Sequence, residues 1–120
     1  MGAGLALKFK RRYRDYYEDY ADKCDYSEIE PGKVDIYERT EGTDICSFPT
    51  KIDYRNKSQY SLVLRGLQHL VDVLENDGYT SVAIPAIGCG LGGLDWRRVE
   101  SMIRDVFNNS TIHVELYPPL

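Results

Sequence analysis

The sequence predicts one α/β domain in which helices cover a largely parallel central sheet. Short apolar segments typical of strands alternate with longer segments whose apolar residues recur at helical spacing. This alternation is typical of layered α/β folds with parallel strands. The length of 120 residues is close to the commonest size of a single domain and allows one buried core. We therefore expect residues 1–120 to fold as one unit.

The amino-acid composition limits the kinds of binding partner and the cellular compartment that we expect. The net charge of -4, with a sequence pI of about 5.1, argues against a broadly basic nucleic-acid surface but leaves a local basic patch open. Cys24, Cys46 and Cys89 form an odd set without a C-x-x-C pair, which favours reduced thiols and a cytoplasmic location. Because no apolar run approaches the roughly 18 residues of a membrane span, we expect no membrane partner.

The first segment, residues 5–20, is predicted to be helical. Apolar and aromatic residues recur every three or four positions along one face: Leu5, Phe9, Tyr13, Tyr16 and Tyr20. Five basic residues fall within residues 8–14 and are followed by acidic residues. A solvated helix surface is the favoured interpretation of this basic cluster, and contact with phosphate or nucleic acid is the alternative.

Two short strands are predicted next, joined as a hairpin. Residues 33–37 alternate between polar and apolar side chains, and residues 44–48 continue after a turn that contains Gly42. Pro49 ends the second strand. Lys51 therefore lies just beyond a strand end, where functional groups collect in α/β proteins.

The second half of the chain predicts helix, strand, helix and strand. Ser58 is a suitable N-cap for a helix whose apolar stripe runs through residues 60–74. Residues 82–87 are apolar on both faces, as in a strand covered on both sides. Asp95 is a suitable N-cap for the last helix, and residues 111–117 form the last strand.

The glycine loop, residues 88–93, joins the buried strand to the last helix. It contains Gly88, Gly90, Gly92 and Gly93. Glycine lets backbone N–H groups approach an anion closely, and a helix N-terminus adds a favourable dipole. The spacing matches neither a Rossmann fingerprint nor a P-loop. A tight turn is the alternative, but four glycines in six residues exceed what a turn needs, so we favour anion binding.

Single residues carry weaker signals when they are taken alone. Lys51 could neutralise phosphate or attack a sugar carbonyl, but its spacing does not separate it from an ordinary surface lysine. In the glycine loop we expect the helix dipole and backbone amides to lower the pKa of Cys89, although a small loop filler is the favoured role. His69 and His113 are interpreted as structural, and no residue spacing is typical of a metal site.

Three motifs together resemble a macrodomain. They are G-A-G-L-A-L-x-F-K at residues 2–10, S-F-P-T-K at residues 47–51 and I-P-A-I-G-C-G-L-G-G-L-D-W at residues 84–96. The chain is most similar to the branch that contains terminal ADP-ribose protein glycohydrolase and the antitoxins that remove ADP-ribose from DNA. Phage proteins that process ADP-ribose 1''-phosphate are also similar. The resemblance implies a three-layer α/β/α sandwich with a mixed, largely parallel sheet, in a bacterial cytoplasm or a phage-infected host.

The resemblance also implies an ADP-ribose site and a role for each motif. The loop around the distal ribose and its flank would be Gly2, Ala3, Gly4 and Leu5. The strand end and loop around the diphosphate would be Pro85, Ile87, Gly88, Cys89, Gly90, Leu91 and Gly92. Thr50 would line the site beside Lys51, and Lys51 matches the lysine with which this branch attacks or polarises C1'' of the ribose.

Two departures from the family pattern accompany this resemblance. The glycohydrolase has an acidic residue in its glycine loop, and Gly92 stands at that position here. Asp95 is the nearest substitute, but a helix cap is its favoured role. The family also has two strands before the first motif, so we expect an N-terminally shortened macrodomain. Such shortening would expose a sheet edge, and an uncovered edge favours self-association into a homo-oligomer.

The expected function is therefore enzymatic, with one alternative. The chain would hydrolytically release ADP-ribose from a nucleobase or an acidic side chain, or release phosphate from ADP-ribose 1''-phosphate. This chemistry requires no metal and no redox cofactor, and nucleic acid would enter only as a modified substrate. The alternative is a binding module that reads or sequesters ADP-ribose-like nucleotides without turnover.

Overall fold

Four helices and four short strands make up residues 4–25, 30–39, 42–51 and 57–120, the part of the chain that the computed structural model describes. The helices are α1 (Gly4–Arg12), α2 (Arg14–Asp25), α3 (Tyr60–Asn76) and α4 (Trp96–Val106). The strands are β1 (Asp35–Tyr37), β2 (Ile45–Ser47), β3 (Ser81–Pro85) and β4 (His113–Tyr117). The predicted alternation of helices and strands is confirmed.

The strands form two pairs. β1 and β2 are antiparallel, with Asp35 opposite Ser47, so the predicted hairpin is confirmed. β3 and β4 are parallel, with Ser81 opposite His113, and α4 makes the crossover that a parallel pair needs. The hydroxyl of Tyr79, just before β3, donates to the Asp44 carboxylate at 2.5 Å and so links the two pairs.

The core lies between α3, α4 and the parallel pair. Val63 and Leu67 of α3 and Val99 of α4 are completely buried. These residues recur at helical spacing on the faces that the sequence predicted to be apolar, and burial of such a stripe supplies most of the stability of a helix in a protein. Ile84 of β3 also belongs to this core.

The helix α2 packs against the hairpin, and α1 packs against α2. The predicted single helix is interrupted at Tyr13, although the N–H of Tyr13 donates to the Phe9 carbonyl at 2.8 Å. Tyr16 is 6% exposed, and its hydroxyl lies 2.7 Å from the Ser47 hydroxyl of β2. A buried hydroxyl pair of this kind fixes α2 against the hairpin.

One prediction about strand burial is wrong. Residues 82–87 were expected to be covered on both faces, but Ala83 is exposed while its neighbour Ile84 is buried. Successive side chains of a strand point to opposite faces, so only one face of β3 packs on the described core. None of the described helices is long and apolar enough to cross a membrane.

Candidate functional site

The ends of β2 and β3 lead into the two segments that the sequence singled out. The lysine segment, residues 48–51, follows β2 directly. The glycine loop follows β3 and precedes α4. Segments beyond strand ends are held by a rigid scaffold but are free to carry polar groups, which makes them common sites of function.

Ser58 connects the lysine segment to the glycine loop. Its hydroxyl lies 2.9 Å from the Thr50 hydroxyl, and its backbone N–H donates to the Gly92 carbonyl at 3.0 Å. Ser58 is only 7% exposed, so water competes little with either hydrogen bond. One residue therefore brings together two segments that are far apart in the sequence.

The predicted capping role of Ser58 is wrong. The N-cap of α3 is Gln59, and no side chain caps this helix. The hydroxyl of Ser58 is directed to Thr50 instead, because the hydrogen bond between the backbone of Ser58 and Gly92 holds residue 58 against the glycine loop.

The glycine loop folds into consecutive tight turns. The N–H of Cys89 donates to the Ala86 carbonyl at 3.2 Å, and the N–H of Leu94 donates to the Gly88 carbonyl at 2.9 Å. Gly88 and Gly93 have φ values of 73° and 79°, in the left-handed region that favours glycine. Two of the four glycines thus have a conformational reason to be glycine.

Gly92 is required for a different reason, because its neighbours leave no space for a side chain. A Cβ at this position would lie 2.3 Å from the Ser58 Oγ and 2.4 Å from the Gly88 carbonyl oxygen. Both distances are far below van der Waals contact, and the second neighbour is backbone. Gly90, in the same loop, would place its Cβ in open space with nothing within 4 Å. The loop therefore excludes a side chain at Gly92 and admits one at Gly90.

Several backbone donors of the loop are not used by the described protein. The N–H groups without an acceptor among the described residues are those of Gly88, Gly90, Leu91 and Gly92. Leu91 is 83% exposed, so one side of the loop faces solvent. A run of unpaired N–H groups beside a helix N-terminus is suited to an anion, which is the chemistry that the glycine pattern predicted.

One lysine lies beside this loop, and a second is linked to it through Thr50 and Ser58. Lys51 follows Thr50 and is partly buried. Lys57 is exposed, and its side chain passes Gly93, where a Cβ would lie 3.4 Å from the Lys57 Cδ. No local pattern in the sequence points to Lys57, because residue 57 comes near the loop through the long-range hydrogen bond between Ser58 and Gly92.

The sequence matches that of a known protein family over most of its length. The model of the Macro domain family matches residues 1–103. The chain belongs to the macrodomain family. The macrodomain is 37% identical over 123 residues to the DNA ADP-ribosyl glycohydrolase of Mycobacterium tuberculosis, covering 99% of this chain and 35% of that protein. It is 30% identical over 117 residues to the human ADP-ribose glycohydrolase OARD1, covering 98% of this chain and 73% of that protein.

Solved structures agree with the predicted fold. The macrodomain of M. tuberculosis DarG superposes with a TM-score of 0.95 at 35% identity, covering 100% of this chain and 82% of that one. Thermosipho africanus DarTG in complex with ADP-ribose superposes with a TM-score of 0.93 at 34% identity, covering 99% of this chain and 35% of that one. The α/β macrodomain fold and the resemblance to this branch are therefore confirmed. The macrodomain spans about a third of the length of its bacterial relatives, at 34% to 36%.

The structure does not support activation of Cys89. Partial burial, together with the nearby charge of Asp95, raises the pKa of the Cys89 thiol instead of lowering it. The thiol donates to the Ile87 carbonyl at 3.5 Å, which is an ordinary contact within the loop. A raised pKa leaves little thiolate at neutral pH, so the prediction of a lowered pKa is wrong and the filler role is favoured.

Asp95 caps α4, as the sequence predicted. Its carboxylate accepts a hydrogen bond from the N–H of Arg97 at 3.3 Å. Its own N–H donates to the Tyr60 hydroxyl at 2.9 Å, which ties the start of α4 to the start of α3. The carboxylate is therefore committed to the first turn of α4.

We expect Asp95→Ala to lower the free energy of unfolding by about 1 kcal/mol, the usual cost of losing an N-cap side chain. Chemical denaturation measures this change. Asp95→Asn is the matched variant, because an amide oxygen also caps a helix but supplies no carboxylate. Asp95→Asn should keep both stability and turnover. Loss of turnover at unchanged stability in Asp95→Asn would instead identify Asp95 as a catalytic acid.

The remaining sequence-predicted residues are placed as follows. Gly2 and Ala3 lie outside the described residues, while Gly4 and Leu5 belong to the first turn of α1. Pro85 ends β3, and Ile87 follows it, half-buried, with its N–H donating to the Pro85 carbonyl at 2.8 Å.

The two histidines do not enter the site. His69 accepts a hydrogen bond from the N–H of Val34 at 2.8 Å, which is a structural role, and His113 is exposed on β4. Within the described ranges, no cluster of three or more His, Cys, Asp and Glu side chains is arranged to hold a metal ion.

Proposed function

We propose that this macrodomain binds ADP-ribose and hydrolyses the bond that joins ADP-ribose to DNA. The observation that supports it most is the group of unpaired N–H donors in the glycine loop, which Ser58 connects to the lysine segment. A diphosphate would accept hydrogen bonds from these donors, and the positive charge of Lys57 beside the loop would partly neutralise it. The bacterial relatives are DNA ADP-ribosyl glycohydrolases, which favours DNA over a protein side chain as the acceptor.

Lys51 is the proposed group at C1'' of the distal ribose. The Lys51 nitrogen forms a bond to C1'' while the bond from C1'' to the nucleobase breaks, and the proton that this nitrogen gives up passes to the departing nitrogen of the base. Water then adds at C1'', the bond to lysine breaks, and free ADP-ribose leaves. The net change is the addition of water across the glycosidic bond, with no electron transfer. The diphosphate held by the glycine loop would position C1'' for this step.

A binding module without turnover is the second candidate, and one observation favours it. The glycine loop carries no carboxylate, its Gly92 excludes a side chain, and Asp95 is committed to capping α4. Without an acid to assist it, a site could hold ADP-ribose and leave the glycosidic bond intact.

One pair of measurements separates the candidates. The macrodomain is incubated with a single-stranded oligonucleotide that carries one ADP-ribosylated base, and release of ADP-ribose is followed chromatographically. Calorimetry measures binding of free ADP-ribose, with adenosine, which lacks the diphosphate, as the matched ligand. Release of ADP-ribose together with selective binding supports the hydrolase, and binding without release supports the module. Absence of both would overturn the proposed function and its alternative.

Two further expectations stay predictions. Within the described residues the strands form two-stranded sheets, so each strand pairs along one edge only, which favours association of further strands at an open edge and hence a homo-oligomer. A cytoplasmic location, in a bacterium or during phage infection, is supported by the free thiols of Cys46 and Cys89. Processing of ADP-ribose 1''-phosphate remains a further substrate to assay at the same site.

A further inference from the structure

Residues 8–14, at the end of α1 and the start of α2, hold a concentration of positive charge that the proposed site does not use. They contain five basic side chains and no acidic one, in a chain of net charge -4. Four of the five are exposed and one is partly buried. We call this cluster the basic face: Lys8, Lys10, Arg11, Arg12 and Arg14.

Stabilisation of the helices accounts for only part of this charge. Cations in the last turn of a helix interact favourably with its C-terminal carbonyls, and three of the five occupy the last turn of α1. Lys8 lies outside that turn, and Arg14 is in the first turn of α2, where a cation is unfavourable. The ion pair of Arg14 with Glu18 joins side chains that are 76% and 69% exposed, so it contributes little.

Aromatic rings lie among these cations. The Lys10 Nζ lies 4.4 Å from the ring centroid of Tyr17, and the Arg12 guanidinium carbon lies 5.5 Å from that of Tyr13. Both rings are only partly buried. Proteins that bind single-stranded nucleic acid combine cations that follow the phosphates with aromatic rings and guanidinium planes on which bases stack. Residues 8–17 have both components: the Tyr17 ring lies beside Lys10 of the basic face, and the Tyr13 ring lies beside Arg12 but also contacts Arg39 and Phe9.

We propose that the basic face binds single-stranded DNA next to the modified nucleotide. This inference rests on the proposed function, since it names the part of the substrate that lies outside the ADP-ribose site. Gly4, one of the residues that the family resemblance places around the ribose, begins α1. A rise of about 1.5 Å per residue puts Arg11 about 10 Å along the helix from Gly4. That distance spans about three nucleotides at a strand spacing of about 3.4 Å.

The test uses an unmodified, fluorescein-labelled thymidine 12-mer and measures its fluorescence anisotropy over a series of salt concentrations. Lys8→Ser/Arg11→Ser removes two exposed cations that have no ion pair among the described residues. Loss of two phosphate contacts should weaken binding at low salt. It should also reduce the slope of log K against log salt by about 1.4, at about 0.7 per contact for single strands. The affinity for free ADP-ribose should not change.

Two control variants are matched to this change. Arg97→Ser/Arg104→Ser removes two exposed cations from α4 and should leave oligonucleotide binding unchanged. Lys8→Arg/Arg11→Lys keeps the charge and should bind like the original chain. Thermal unfolding of each variant establishes that it is folded, which is expected because all four positions are exposed.

Four outcomes would overturn the inference. They are equal loss of binding in the α4 variant, an unchanged salt slope in Lys8→Ser/Arg11→Ser, tighter binding of a duplex of the same length, and preferential binding to vesicles containing anionic lipid. Failure of the proposed function gives a different pattern, in which ADP-ribose neither binds nor is released while the two Ser variants still differ in oligonucleotide binding.

Discussion

Lys51→Ala is expected to reduce the release of ADP-ribose from modified DNA by at least about 10²-fold, which is well below the loss of about 10⁶-fold that removal of a covalent nucleophile can cause. Binding of free ADP-ribose should change little, because the glycine loop supplies the N–H donors for the diphosphate and does not contain Lys51. Single-turnover release measures the first effect and calorimetry the second. Undiminished release by this variant would remove Lys51 from the mechanism.

Two further variants define what Lys51 does. Lys51→Arg keeps the positive charge, but a guanidinium is not deprotonated in proteins and cannot form the covalent bond to C1''. An inactive Lys51→Arg therefore supports attack by the amine, whereas an active one shows that charge alone is needed. Lys57→Ala is the matched control, since Lys57 lies beside the loop and does not belong to the lysine segment. It should weaken ligand binding and leave the maximal rate of release nearly unchanged.

The second large effect is expected at Gly92. Gly92→Ala places a methyl group against the Ser58 hydroxyl and the Gly88 carbonyl, so the backbone has to move. Such overpacking typically costs about 1–3 kcal/mol of unfolding free energy. Movement of the loop should also weaken ADP-ribose binding, because the unpaired N–H donors of Gly92 and of the residues before it shift with the backbone. Denaturant unfolding and calorimetry measure the two effects.

Gly90→Ala provides the comparison within the same six residues. A Cβ at Gly90 meets open space, and its φ lies outside the left-handed region, so stability should stay within about 0.5 kcal/mol. Equal stability of the two variants would contradict the close contacts at Gly92. Gly92→Asp should likewise fail to supply the acid of the glycohydrolase branch, because its Cβ meets the same two neighbours.

Local patterns in the sequence predicted much of this fold. The apolar stripe of α3, the alternation of the hairpin and the cap at Asp95 each depend on residues close together in the chain. The order of strand, glycine loop and helix also depends on residues close together in the chain. It predicted free backbone N–H groups in the loop, and the structure contains them. The family resemblance supplied the role proposed for Lys51, which no pattern within the chain could supply.

The errors concern contacts between distant segments. Ser58 has the residue type and position of an N-cap, but its hydroxyl contacts Thr50 because Gly92 holds its backbone. The dipole of α4 predicted a lowered pKa for Cys89, but burial raises it. Ala83 is exposed because no described helix packs on its face of β3, and the apolar composition of a strand does not determine which of its faces is covered. Each of these depends on packing that the local sequence does not encode.

The two hydrogen bonds of Ser58, to Thr50 and to Gly92, lead us to expect that substrates of different size are turned over at different rates. A diphosphate that orders the glycine loop also restrains Ser58, and through Thr50 the backbone that carries Lys51. Binding energy gained far from the scissile bond is thereby spent on preorganising the reacting lysine. A truncated ribosyl compound that lacks the diphosphate would not order the loop or restrain the backbone of Lys51. We expect both its turnover number and its affinity to be lower.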